Sequence, residues 1–147
     1  MNELNNIQIL KVLKADKFTS PIFRGVFPRD QIPINIQYPS CLIVNTHVSE
    51  QVGEHWLAVY YDKIGIANFF DSYGNHPDYF GLKKYLDYTS TGWNYNSKCI
   101  QSLNTSFCGY YCLLFILSRS RNISLHDFLK YFKSDNDKEI KKLISDY

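Results

Sequence analysis

Apolar and polar positions alternate in three rhythms along this chain. Near the N-terminus, Leu4, Ile7, Leu10 and Lys14 recur at three- and four-residue spacings with Ile9 and Leu13 beside them, which predicts an amphipathic helix ending near Asp16. Further on the rhythm shortens. The run CLIVNTH, Cys41 to His47, is apolar and β-branched and reads as a buried strand that SEQVG then breaks. WLAVYYD and IGIANFFD, joined around Asp62, Lys63 and Gly65, read as a β-hairpin with a tight turn. In the third rhythm, Cys108 to Arg119, residues are apolar on every side, as in a central helix buried all round.

The intervening segments follow from turn and cap chemistry. Phe18 to Pro39 holds four of the five prolines, which forbids long helices and predicts an ordered, aromatic-anchored loop. SYGNHPD is a turn. YFGLKKYLDY, with Phe80, Lys83, Lys84 and Asp87 at helical spacing, predicts a helix, and WNYNSKCIQ a strand ending at Gln101. Ser124 with Asp127 three residues on starts a helix over SLHDFLKYF, and Ser134 or Asn136 caps another over DKEIKKLI. Helix, strands, helix, strand and helices in that order argue an α+β fold, without repeats or low-complexity tracts.

Composition narrows the class. At 147 residues the chain is expected to form one domain, residues 1–147. With 45% hydrophobic residues, 12 Tyr and 10 Phe, it can bury roughly two thirds of its unfolded surface, which excludes disorder, collagen and coiled coil. A net charge of +2 is too small to argue a nucleic-acid footprint, and the lysines at 11, 14, 17, 138, 141 and 142 read as solvated helix faces. MNELNNIQIL lacks the apolar run of a signal peptide, and the stretch Phe107 to Leu117 falls short of the ~20 residues of a bilayer span. A monomer that is neither secreted nor membrane-bound is expected, with its four cysteines as thiols.

Among those thiols Cys108 stands apart. It precedes Gly109 and opens the buried helix, where backbone N–H groups and the helix dipole favour a thiolate. A cysteine nucleophile needs a base, and the base needs a group to orient it. His55 opens the first hairpin strand and Asp71 closes the second, so antiparallel pairing brings them to one end of the sheet. His47, His76 and His126 have weaker settings: a strand end without a carboxylate, a turn, and a surface helix. Gln101, seven residues before Cys108, is placed to donate its amide, with the Cys108 backbone N–H, to an oxyanion.

The order His-Trp, FFDSYG, Gln, six residues, then Cys-Gly resembles the adenovirus-type processing proteases (adenain) and, more distantly, the ubiquitin-like-protein proteases. IVNT at 43–46, GEHW at 53–56 and the upstream FRGVFPRD are also similar to adenain stretches, so the likeness covers most of the chain. The resemblance implies a papain-like fold with a central mixed β-sheet, a buried nucleophile helix and flanking helices. It implies Cys108 as nucleophile, His55 as base, Asp71 as its orienting group, Gln101 as oxyanion donor, and Trp56 and Gly109 at a narrow substrate cleft. It further implies cleavage of viral precursor and capsid proteins at glycine-containing small-residue motifs, in the virion and the infected cell (nucleus or viral factory). Two departures are visible. The adenain orienting residue is glutamate where this chain has Asp71, and Cys99 does not align with the cysteine that holds adenain's peptide activator. No cofactor is therefore expected, and a peptide activator or DNA has no support in the residues.

Other chemistries fit the residues less well. The same site would serve an isopeptidase acting on ubiquitin or a similar modifier, or an acetyltransferase of the same clan. CGYYC separates its cysteines by three residues, not the two of a thioredoxin-like motif, and the cysteines and histidines lack zinc-ligand spacing, so no metal is expected. Cys41, Cys99 and Cys112 are expected as structural thiols.

Overall fold

The computed structural model describes residues 5–46, 55–101 and 107–132. The element order is α1 (Asn6–Ala15), β1 (Phe23–Pro28), β2 (Ser40–Asn45), β3 (Trp56–Tyr61), β4 (Ile66–Phe70), a 3-10 turn (Pro77–Phe80), α2 (Lys83–Thr89), β5 (Gly92–Tyr95), α3 (Cys108–Ser120) and α4 (Leu125–Lys130). The strands form one mixed sheet in chain order, antiparallel in the middle (β2–β3–β4) and parallel at both edges (β1–β2 and β4–β5). This is the mixed sheet with several helices expected of an α+β chain.

β3 and residues 41–44 of β2 carry no strongly polar side chain because both of their faces are covered. Side chains alternate across the pleat. Cys41, Ile43, Trp56, Ala58, Tyr60 and Phe70 share one buried cluster with Ile9, Leu13 and the apolar residues of α3 and α4. Leu42, Val44, Leu57, Val59, Tyr61, Ala67 and Phe69 share the other with Phe80, Leu82 and Leu86. Each Val, Leu, Ile or Phe among them, removed from water, contributes roughly 1.5–3 kcal/mol, so this two-sided burial is the main source of stability. α3 lies in the first cluster, with Tyr111, Cys112, Leu113, Phe115, Ile116 and Leu117 all buried; Phe70 stacks on Phe115 at 4.7 Å.

The hairpin turn forms as its residues predict. Asp62 Oδ1 accepts from the backbone N–H of Ile64 (3.0 Å) and Ile66 (2.9 Å). Gly65 adopts φ +87°, and a Cβ there would lie 2.3 Å from the Tyr38 ring. Ser124 caps α4 by accepting from the Asp127 N–H.

Four expectations are corrected. The Phe18–Pro39 segment contains β1, an edge strand whose register shifts between Phe23 and Val26 and which ends on Pro28, as proline is tolerated at an edge. The α1 face turned inward is Ile9 and Leu13, four residues apart, while Ile7 is 75% exposed; a capping box between Asn5 and Gln8 starts the helix. The helix expected over YFGLKKYLDY is split, because Gly81 takes a left-handed conformation after the 3-10 turn and α2 starts at Lys83. β5 stops at Tyr95, so Gln101 lies in a loop and not on a strand. His47 and the expected helix over DKEIKKLI lie outside the described residues.

Candidate active site

Three elements deliver the candidate site. His55 sits immediately before β3, its backbone carbonyl accepting from Thr46 N–H at 3.0 Å, so the β2–β3 ladder fixes its position. Asp71 follows β4. Cys108 is the first residue of α3, after Phe107 as N-cap. The β3–β4 pairing brings His55 and Asp71, sixteen residues apart, to one end of the sheet, where His55 Nε2 meets Asp71 Oδ1 at 2.7 Å. The Cys108 side chain hydrogen-bonds the same imidazole. Since Nε2 faces the carboxylate, Nδ1 is the ring nitrogen left for the thiol.

Charge decides the state of that ring. Burial disfavours imidazolium, but the hydrogen bond to Asp71, the hydrogen bond to Cys108 and the charges of both outweigh it, and His55 is held up to about 9. Tyr73 (5.2 Å between ring centroids) and Phe80 (6.0 Å) both stack on the ring. Asp71 is 0% exposed. Besides His55, its carboxylate accepts from Tyr73 N–H (3.2 Å), Asn75 N–H (3.1 Å) and Asn75 Nδ2 (2.9 Å), the saturation a buried carboxylate requires.

Gln101 is 3% exposed and is held by the loop that carries Asp71. The Ser72 carbonyl accepts the backbone N–H of Ile100 (2.8 Å) and Gln101 (3.1 Å), and the Ser72 hydroxyl donates to Gln101 Oε1. Sequence reasoning missed Asn96. Buried, it accepts the Asp71 backbone N–H at 3.0 Å and donates to the Asp71 carbonyl at 2.6 Å, binding both main-chain groups of the acid. A polar residue two positions before Lys98, in a segment read as strand, gave no sign of this role.

Trp56 is 4% exposed and lies in the cluster that also buries Cys108; its carbonyl accepts from Cys112 Sγ at 3.3 Å. Gly109 is buried in the first turn of α3. Cys112 and Cys41 are buried, and burial pushes both thiols up, which suits structural roles. Cys99, expected as a third structural thiol, is instead exposed and donates to the Gln101 carbonyl at 3.3 Å. His76 caps the 3-10 turn, and His126 lies on α4. Among the described residues no group of three or more His, Cys, Asp or Glu side chains is arranged to hold a metal ion. Among the same residues no helix is long and apolar enough to cross a membrane.

Gly74 locks the two loops together. Its φ is +77°, and an added Cβ would lie 2.8 Å from the Lys98 carbonyl carbon and 2.9 Å from the Cys99 nitrogen, both backbone. Gly74→Ala is expected to cost about 1–3 kcal/mol of stability through the left-handed strain, with displacement of the 98–101 segment in addition. Urea unfolding measures the first; a variant as stable as wild type would contradict the packing described.

No protein-family model matches the chain, and no curated protein sequence does. Among solved structures it is similar to the ASFV pS273R protease, with 24% identity and a TM-score of 0.49 over 72% of this chain and 42% of that one. The chain thus spans less than half the length of that protease. It is also similar to the central domain of the uncharacterized Lpg1148 protein from Legionella pneumophila, at 11% identity and a TM-score of 0.50, covering 99% of this chain and 97% of that one. This second likeness is one of fold, and it extends over nearly the whole of both chains.

Proposed function

We propose that this chain is a cysteine endopeptidase of the adenain-like type, a hydrolase in which Cys108, His55 and Asp71 form the catalytic triad and Gln101 is the oxyanion donor. The observation that carries the reading is a single imidazole bound on one side by a buried carboxylate and on the other by a thiol at the first residue of a buried helix. Asp71 fixes the ring orientation. The thiolate attacks a peptide carbonyl, and the backbone N–H of Cys108 and the Gln101 amide stabilise the resulting oxyanion. Imidazolium gives its proton to the leaving amine, and the neutral ring then takes a proton from the water that hydrolyses the thioester. The substrates proposed are viral or virus-like precursor and capsid proteins cut at glycine-containing small-residue motifs, in the virion and infected cell; the ordered motif His-Trp, FFDSYG, Gln, Cys-Gly supports this.

The test is to incubate wild type and Cys108→Ala with glycine-rich precursor peptides, ubiquitin-type fusions and acetyl-coenzyme A with acceptor protein. New termini mapped by mass spectrometry and absent with Cys108→Ala support the reading. Cleavage of modifier fusions alone would make it an isopeptidase, and acetylation without cleavage would overturn it.

The pH profile follows from His55. The ring must be protonated to serve the leaving amine, so kcat/KM is expected to fall as pH rises through about 9. The linked stability has the same sign. A histidine raised from 6.5 to about 9 on folding stabilises fully below about 6.5, and that contribution is lost as pH rises through 9. An alkaline limb near 6.5 would contradict the role given to His55.

A further inference from the structure

Adjacent residues of the acid loop serve two different parts of the site. Asp71 binds the His55 ring, and Ser72, 0% exposed, reaches Gln101 with both its hydroxyl and its carbonyl. A glutamine amide is nearly symmetric in shape, and its last torsion is broad and two-fold, so its oxygen and nitrogen ends exchange easily unless something distinguishes them. For an oxyanion the ends are opposites: the –NH2 attracts it and the carbonyl oxygen repels it.

We infer that Ser72 is a positioning residue for oxyanion stabilisation, its hydroxyl occupying Oε1 of Gln101 and so fixing which way the –NH2 group points. The inference rests on the proposed role of Gln101 as oxyanion donor. The backbone supports it: the Ser72 carbonyl accepts from both Ile100 and Gln101 N–H, so Gln101 cannot move from the hydroxyl without breaking the strap. Gly74, pressed on the backbone at Lys98 and Cys99, holds the same two segments together one turn further on. The dipeptide Asp71-Ser72 thus aligns the base through one side chain and the oxyanion donor through the next, coupling His55 and Gln101, which lie 46 residues apart in sequence.

The test is a double-mutant cycle with an independent reading of the amide. Ser72→Ala is expected to lower kcat about 10-fold with KM within about twofold, a share of the roughly 10²–10³-fold that removal of an oxyanion donor costs. In a Gln101→Ala background the same substitution is expected to cost nothing further, because a positioning residue has nothing left to position. Equal losses in both backgrounds, or a change confined to KM, would overturn the proposal. In glutamine-labelled protein, the Gln101 side-chain signals, identified by their absence in Gln101→Ala, are expected to shift towards those of exposed glutamines in Ser72→Ala. Unchanged signals overturn the proposal too. If wild type shows no Cys108-dependent cleavage, the peptidase reading fails by itself, and the amide signals still decide whether Ser72 orients Gln101.

Discussion

Cys108→Ala is expected to leave a folded protein in which the proposed peptide cleavage is lower by at least about 10⁴-fold. The magnitude follows from the division of labour in the proposed site. Without the thiol no covalent intermediate forms, and what remains is binding and oxyanion stabilisation around an unactivated water. The fold is expected to survive because Cys108 contributes only a small side chain to a cluster dominated by Trp56, Tyr111, Phe115 and Phe128. Cys108→Ser sharpens the comparison: it restores a hydroxyl, but one too weakly acidic to rest as an anion beside imidazolium. It is expected to be nearly as inactive as alanine. Turnover on one peptide, with circular dichroism to verify folding, measures both. Residual cleavage within tenfold of wild type would remove Cys108 from the mechanism.

Asp71→Asn is expected to lower kcat by about 10³–10⁴-fold, the scale seen when an orienting carboxylate is made an amide in a related triad. The geometry shows why so small a change is severe. Both carboxylate oxygens accept hydrogen bonds, one from His55 and Tyr73 N–H, the other from two groups of Asn75. An asparagine has a single oxygen, so its –NH2 must face donors at one position or the other. Turned towards Asn75, it leaves two donors unmatched; turned towards His55, it forces the ring into the wrong tautomer. Either arrangement leaves buried polar groups unsatisfied, at about 1–3 kcal/mol of stability. It also removes the negative charge that helps hold the His55 proton, so the alkaline limb of the pH profile is expected to move below 9. A variant with wild-type kcat and an unmoved alkaline limb would show that Asp71 does not act through His55.

Much of this arrangement is legible in the chain itself, for physical reasons. The hairpin from Trp56 to Phe70 is local: Asp62 and Gly65 make the turn, and a two-residue period sorts the side chains. Because hairpin pairing is fixed by its turn, the meeting of His55 with Asp71 follows from sequence. The α3 helix is equally legible, since a segment apolar on every side has nowhere to lie except in the core. β1 was hidden because parallel pairing needs no local turn signal, and its Gly25 and Pro28 mimic a loop. The rotation of α1 was hidden because several apolar residues competed for the buried face, and only packing against the sheet chose Ile9 and Leu13 over Ile7.

The candidate site divides in the same way. The order of His55, Asp71, Gln101 and Cys108 and the chemistry available to each are properties of the sequence, because residue type and hairpin register are local quantities. Their alignment belongs to the tertiary structure. Asn96 on the backbone of Asp71, Ser72 on the amide of Gln101 and Gly74 against the Lys98–Cys99 peptide are contacts between segments more than twenty residues apart. Such contacts carry no periodicity or spacing. They exist only once the parallel β4–β5 edge has brought the loop after β4 against the loop after β5.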